Sequence, residues 1–600
     1  MEFTKKIGVI DFGGQYAHLI ASRLRRLGAY TEIISNEETL NKYREFSGLV
    51  FSGGPASVYE ENSPQISADV LNLNIPILGI CYGHQLIMKL LGGEVYKSAK
   101  SEYGLAYLER VEPSKLTEGF ENSEQVWMSH GDEVVKIPEG FSVFARSSHC
   151  SFAGVFSEEK KIYCVQFHPE VTHSVKGNIL LENFIRITGS SGTWNLAEFL
   201  KLKTEEILVS VPAGKKVFML VSGGVDSTVA YTLLTRILGK DRVAGLLVDT
   251  GFMRKKEIQI LRKALKRNDV EIAVADASKA FYKALKGIRE PEQKRRIIGD
   301  LFIQVKDEAV SSFISDPENW ILGQGTIYPD TIESGGTKHS HNIKTHHNRS
   351  QAVLDLLEKG LVVEPLKELY KDEVRELGSL LGLSMDIIER HPFPGPGLAV
   401  RMIASAEDNE FEDREQSDRL IAHYKDAQYK ILPLKSVGVQ GDSRSYRHCA
   451  LLNDFTRSWH EYRKVSTDIT NHIRGINRVV FAPFQRNLPD NLKFSQIFLD
   501  KSHSDLLRDA DFIVSKILKK RGISQEIWQM PVVLIPVGKK KGRFSIVLRP
   551  VESMEAMTAN FYPMRRKFLK EIVKSLKKLK KISWVFYDIT DKPPGTIEWE

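Results

Sequence analysis

Short apolar runs alternate with amphipathic stretches through the first third of the chain. Residues 7–10, 48–51 and 77–80 are brief aliphatic runs, and helically spaced segments separate them. That alternation predicts a three-layer α/β domain. At Gly189-Ser190-Ser191-Gly192 the sequence turns small and polar, the composition of a linker. A second α/β pattern follows, with strands expected at 217–221, 244–248 and 320–322. It ends near His391-Pro392-Phe393-Pro394-Gly395-Pro396-Gly397, where three prolines remove the amides that a helix or central strand needs. The last 200 residues carry a faint internal repeat. One copy reads as strand 433–438, strand 446–452, helix 459–473 and strand 475–481. The other reads as strand 534–538, strand 544–548, helix 566–579 and strand 582–587. The expected domains are therefore 1–190, 195–398 and 399–600.

Composition narrows the class. Six hundred residues exceed one hydrophobic core. With 42% hydrophobic and 27% charged residues, nothing suggests disorder. The net charge of +8, from 84 basic and 76 acidic residues, suits anionic small molecules and does not call for nucleic acid. Lysine runs such as Lys539-Lys540-Lys541 read as solvated faces. The four cysteines, Cys81, Cys150, Cys164 and Cys449, have neither metal spacing nor the density of a disulfide framework. The chain enters a strand at Ile7 and has no apolar run of membrane-spanning length. A cytoplasmic protein with no membrane contact is expected.

The most informative segment is Ser222-Gly223-Gly224-Val225-Asp226-Ser227-Thr228, between an apolar strand and a helix-compatible run. Two glycines allow a tight turn, and the amides of the following helix start point at whatever sits there. The hydroxyls of Ser222, Ser227 and Thr228 add donors, so the segment is an anion cradle of phosphate size. It lacks the Gly-Lys-Ser/Thr ending of the common phosphate loop. It resembles the pyrophosphate loop of enzymes that split ATP into AMP and pyrophosphate. Val248, at the end of the next strand, is a candidate adenine contact, because ligands bind at the carboxyl ends of parallel strands. Asp226 and Asp330 are candidate oxygen ligands for Mg²⁺, and Lys344 is a candidate phosphate cation. His339, His341, His346 and His347 fit no closed tetrahedral zinc set.

A second chemistry is visible in Gly79-Ile80-Cys81-Tyr82-Gly83-His84-Gln85. It places a thiol between a buried strand and a helix expected to begin near Gln85. A helix N-terminus stabilises a thiolate, and a sharp turn exposes it. Gln166-Phe167-His168-Pro169-Glu170 offers a base and an orienting carboxylate. The amides of Gly53, Gly54 and Tyr82 are candidates for an oxyanion hole. Taken together and in this order, these segments resemble the class I glutamine amidotransferases. The resemblance implies a catalytic triad of Cys81, His168 and Glu170, with glutamine contacts at Gln85, His130 and Asp132. His84 departs from the family pattern. It adds a second histidine near the thiol, and it is expected to be peripheral.

The whole series of motifs resembles the GMP synthetase family in its glutamine-hydrolysing form. The tail Asp591-Lys592-Pro593-Pro594-Gly595-Thr596-Ile597-Glu598-Trp599-Glu600 is the most specific match. The resemblance implies XMP, ATP and glutamine as substrates and Mg²⁺ with the ATP. It implies XMP contacts at Arg295, Lys592, Ile597 and Glu598, joined by Asp442 and Gln529 where the C-terminal unit is duplicated. The fold it implies is an amidotransferase domain, an ATP pyrophosphatase domain with a parallel sheet, and a duplicated α+β C-terminal domain. Tethered copies can pair within one chain, so a monomer is expected. Two rival readings remain at this stage. One is another glutamine-fed adenylating enzyme of the NAD synthetase type, which the tail argues against. The other is an inactive nucleotide-binding scaffold, which retention of Cys81, His168, Glu170 and Asp226 argues against.

Overall fold

Strands buried on both faces read as unbroken apolar runs, and the first sheet is built from such strands. Every residue of Gly48–Phe51, Ile77–Ile80 and Ile162–Val165 is buried. The computed structural model describes the chain from residue 5 onward, apart from residues 15, 172, 314–318, 334–360, 405–428, 441–442, 453–456, 474, 485–491 and 553–558. Lys344, Asp442 and the four histidines 339, 341, 346 and 347 lie outside the described residues. By packing, the chain forms two compact units. The first comprises residues 1–210, 326–360 and 365–376, and the second comprises 211–325, 361–364 and 377–600.

In the first unit nine strands form one sheet. Its order is Thr31–Ser35, Ile7–Asp11, Gly48–Phe51, Ile77–Ile80, Ile162–Val165, Gly154–Ser157, Ser142–Arg146, Glu94–Arg110 and Ser123–Lys136. The first five are parallel. The remainder pair antiparallel, and Ser123–Lys136 alternates between buried and part-exposed positions as a half-solvated strand should. Helix Ala17–Arg26 buries Ala17, Ile20, Ala21 and Leu24, one face at helical spacing. Helix Gly177–Thr188 stops at Gly189, whose φ of 68° supplies a left-handed cap. Arg25 is buried, donates to the Thr31 carbonyl at 2.7 and 3.0 Å, and lies 4.8–5.5 Å from the rings of Trp194, Tyr328, Tyr30 and Tyr370. Glu373 stands 3.6 Å away, so the charge is paired.

The second unit holds a five-stranded parallel sheet in the order Ala273–Asp276, Val243–Asp249, Lys216–Leu220, Trp320–Gly323, Val362–Val363. The chain moves outward in one direction from Lys216–Leu220 and then in the other. The switch point, where such sheets bind ligands, therefore lies directly beyond that first strand. The residues that follow it are the Gly-rich loop.

A six-stranded sheet closes the chain, in the order Tyr429–Gln440, Ser443–Leu452, Ile476–Phe481, Ile582–Asp588, Phe544–Leu548, Val532–Ile535. The repeat seen in the sequence is a symmetry of this sheet. In each half the first two strands are antiparallel and the second and third parallel. Each half carries a register shift at the same place, skipping Asn477 in one and Ser583 in the other. Arg478 is thus the counterpart of Trp584, and Phe481 of Tyr587. The halves join through their third strands, with Phe481 opposite Tyr587 on the pseudo-twofold axis. That is the self-complementary contact of a homodimer made within one chain. Helix Trp459–His472 begins with a capping box between Ser458 and Glu461, and helix Arg566–Leu576 buries Phe568, Leu569, Ile572, Val573 and Leu576. The second helix is three residues shorter at its C-terminus than the periodicity suggested, ending at Leu576.

A charge cluster lies inside this sheet. Asp588 is fully buried, 3.0 Å from Arg478 and 3.4 Å from Arg549, both also fully buried. Trp599 donates its indole proton to Asp588 at 2.9 Å. Burial lowers the Arg478 pKa to about 10, with Asp588 opposing the shift, so Arg478 stays charged at neutral pH. Asp588→Ala should therefore cost about 3–5 kcal/mol, since it leaves buried guanidiniums without their anion. Urea unfolding of the full chain measures this. Lys240→Ala, which removes a bridge whose two side chains are 64% and 88% exposed, should leave the midpoint nearly unchanged. Equal midpoints for the two variants would refute the cluster's role.

Candidate active sites

Cys81 caps helix Tyr82–Leu90 with φ 53° and ψ −105°. The helix starts at Tyr82, three residues earlier than expected, because the turn is completed by Cys81 itself. A non-glycine residue in the left-handed region stores strain, and here that strain aims a thiol outward from a helix N-terminus. The Cys81 amide is held by the Val165 carbonyl at 2.8 Å. His168 follows that same strand, and its Nδ1 lies 2.7 Å from Glu170 Oε1. Burial opposes a charge on His168, but Glu170 and then Cys81 hold its pKa well above the ordinary imidazole range. The imidazole therefore keeps its proton beside the sulfur at neutral pH.

Gly53 completes the wall. A Cβ there would lie 3.2 Å from His168 Cε1 and 3.7 Å from Cys81 Cβ, so the backbone passes directly over both groups. Its neighbour Gly54 packs on the Tyr82 ring, where a Cβ would come within 3.2 Å. Gln85 Nε2 donates to the Asp132 carbonyl at 2.9 Å and to Gln166 Oε1 at 3.2 Å. Gln166 Nε2 in turn lies 3.7 Å from Cys81 Sγ. His130 Nδ1 contacts the Asp132 carbonyl at 2.9 Å, and Tyr59 donates to the Asp132 carboxylate at 2.8 Å. All nine residues singled out for glutamine chemistry thus lie in one connected region of the first unit. Gln166 was missed. It stands two residues before His168 in the segment just after strand Ile162–Val165, which was a usable signal. His84 is fully buried on the same helix, and among the described residues neither of its ring nitrogens has a hydrogen-bond partner. Burial, then the neighbouring His130 ring, pushes its pKa down to about 3, so it stays neutral.

In the second unit the Gly-rich loop turns through Gly223 at φ 81° into helix Val225–Leu238. Ser222 Oγ and Ser227 Oγ are 3.0 Å apart, and Thr228 Oγ1 donates to the Gly224 carbonyl at 2.7 Å. These bonds brace the loop at the helix start, where unpaired first-turn amides make an anion site, beyond the sheet's switch point. Gly325 approaches so closely that a Cβ would lie 3.0 Å from the Ser227 backbone. Arg390, which the motif reading missed, donates to the Gly223 carbonyl and to Glu257. Val248 is buried at the end of its strand. Asp226 lies on the first helical turn. Asp330 belongs to the first unit, where its carboxylate accepts from the Ile327 amide at 3.1 Å.

The C-terminal tail is docked rather than frayed. Trp599 and Glu600 are buried, and the Val437 and Val439 amides donate to Trp599 and Pro594 at 2.9 and 2.8 Å. Gln529 Nε2 lies 3.1 Å from Glu598 Oε1, which also receives Arg401 Nη2 at 2.7 Å. Arg401 Nε completes a bidentate pair at 3.0 Å. Lys294 donates to Glu600 from the helix that carries Arg295, and burial pushes both groups toward their neutral forms. Arg295 itself is 2.5 Å from Glu292 and 3.5 Å from the Tyr446 hydroxyl. Lys592 pairs by backbone with Ala559, and Ile597 is half-buried.

Comparison with known proteins agrees with this arrangement. The family model for class-I glutamine amidotransferases matches residues 8–187, that for NAD synthase matches 196–299, and that for the GMP synthase C-terminal domain matches 516–599. A "Probable GMP synthase", glutamine-hydrolyzing, of Leptospira interrogans is 55% identical over 603 residues, spanning 100% of both chains. The chain belongs to the glutamine-hydrolyzing GMP synthase family. The family's Aquifex aeolicus member is 41% identical over 97% of its own length but only 80% of this chain. A Lactobacillus johnsonii member is 40% identical over 96% of its length and 79% of this chain. The C-terminal family model falls on the second copy of the C-terminal unit.

His84 yields a test. Below the unfolded-state pKa of about 6.5, the unfolded chain takes up a proton that the native state refuses down to about pH 3. Stability is therefore lost as pH falls through that window, by about 2 kcal/mol from this residue between pH 7 and pH 5. In urea unfolding, His84→Leu should gain that amount relative to the parent on going from pH 7 to pH 5. A difference independent of pH would show that His84 is not held neutral.

Proposed function

We propose that this chain makes GMP from XMP, ATP, glutamine and water, releasing AMP, pyrophosphate and glutamate, with the work divided among domains 1–190, 195–398 and 399–600. The observation that carries the reading is the His168 imidazole, held between Glu170 and Cys81 under the Gly53 backbone. Cys81 Sγ attacks the side-chain amide carbon of glutamine. The amides of Gly53, Gly54 and Tyr82 donate to the oxyanion, and His168 gives its proton to the departing ammonia. Water then attacks the thioester, with His168 taking its proton, and glutamate leaves. Gln85, His130 and Asp132 hold the glutamine.

At the second centre the XMP C2 oxygen attacks the α-phosphorus of ATP, and pyrophosphate leaves. Ammonia displaces AMP from C2 and gives GMP. The loop 222–228 cradles the phosphates, Val248 packs on adenine and Lys344 adds a cation. XMP is held by Arg295, Asp442, Gln529, Lys592, Ile597 and Glu598. Among the described residues no cluster of three or more histidine, cysteine or acidic residues could hold a metal alone. One carboxylate plus substrate phosphates is an ordinary magnesium ligand set, and Asp226 fits it. Asp330 fits less well, since its carboxylate already caps a turn. Bound there with ATP, Mg²⁺ would supply charge neutralisation for the pyrophosphate leaving group. Among the described residues no helix is long and apolar enough to cross a membrane; a cytoplasmic enzyme is the reading that fits the substrates.

Two outcomes test this. Cys81→Ala should abolish glutamine-dependent GMP formation while leaving formation from ammonium salts; loss of both in the folded variant would refute separate centres. The internal pseudo-dimer also occupies the strand-pairing surface a second subunit would use, so a monomer of 68.0 kDa is expected. Light scattering at low micromolar protein should give that mass, and a concentration-independent dimer would contradict it.

A further inference from the structure

We propose that Arg478 is a positioning residue for the acceptor nucleotide: it clamps the tail of the second repeat copy from within the first. This rests on the reading of the tail as an XMP-binding element. Arg478 is fully buried, and its Nη2 reaches four oxygens. They are the carbonyls of Val437 at 3.1 Å, Thr596 at 2.8 Å and Glu598 at 2.8 Å, and the Thr596 hydroxyl at 2.7 Å. Its Nη1 is fixed by Asp588 at 3.0 Å, and the Trp599 ring lies 5.1 Å from the guanidinium carbon. Glu598 is thereby held twice: by its main chain through Arg478 and by its carboxylate through Arg401. Ile597 sits between two residues whose carbonyls the same nitrogen holds.

The pseudo-symmetry shows that the clamp is a specialisation rather than a property of the fold. Each copy sends the segment after its third strand to pair with the first-strand region of the other. Gly595 bridges Gly438, and Lys493–Phe494 pairs with Val537–Gly538. The edge contact is thus retained on both sides. The clamp is not, because Trp584 stands where Arg478 has its counterpart. The first copy has kept the clamp and the second has kept the tail, so each chain has one place where the two meet.

Steady-state kinetics with ammonium as the nitrogen source test this on Arg478→Gln, Arg478→Lys, Thr596→Val and, as a control for the tail, Glu598→Gln. Arg478→Gln should raise the XMP KM by roughly tenfold or more, the scale of a lost charge-assisted hydrogen bond, with the ATP KM unchanged. Arg478→Lys should restore part of the loss. Thr596→Val keeps the Arg478–Asp588 pair and should raise the XMP KM several-fold; it decides the matter if Arg478→Gln does not fold. A purely structural role would lower kcat and the active fraction without separating XMP from ATP, and that result overturns the proposal. So does an unchanged XMP KM in the Arg478 and Thr596 variants when Glu598→Gln raises it, which would leave the tail reading standing. An unchanged XMP KM in Glu598→Gln would remove the tail reading itself.

Discussion

Asp588 and the two guanidiniums that face it, Arg478 and Arg549, form the charged centre of the C-terminal sheet. A carboxylate with no exposure is tolerated only when its charge is met and its oxygens are hydrogen-bonded. Arg478 comes from the first repeat copy, and Arg549, Asp588 and Trp599 come from the second. The cluster therefore joins the two copies and fixes the tail in the same set of contacts. The adjacent Lys294–Glu600 pair ties the last residue to the helix that carries Arg295. The proposed acceptor site is thus built by long-range polar contacts, whereas the sheet around it is built by apolar packing.

The glutaminase centre follows a different logic. There the backbone does most of the positioning. A positive φ at Cys81 and a glycine over the imidazole place three groups that are adjacent only through strand order. Strand Ile77–Ile80 delivers Cys81, its parallel neighbour Ile162–Val165 delivers His168 and Glu170, and Gly48–Phe51 delivers Gly53. The phosphate loop is likewise delivered by one strand at the switch point of a parallel sheet, with Arg390 fixing its carbonyl side.

What could be read from the sequence follows this division. Local chemistry was legible, because the elbow and the Gly-rich loop depend on neighbours within a few residues. The repeat was legible as a pattern of elements, although its meaning as an axis through Phe481 and Tyr587 required the register. Arg401 and Arg478 gave no sequence signal, since the tail residues they hold lie 197 and 118–120 positions away. The burial of His84 was not foreseen, because the helix was expected to begin near Gln85 and instead begins at Tyr82, which carries the side chain into the core.

Taken together, the repeat, the crossed tail and the single clamp describe two pseudo-symmetric halves that assemble one acceptor site. Isothermal titration of the full chain with XMP, in the presence of a non-hydrolysable ATP analogue and magnesium, measures this most directly. The account predicts one XMP bound per chain. Two per chain, one for each copy, or one for every two chains would contradict it.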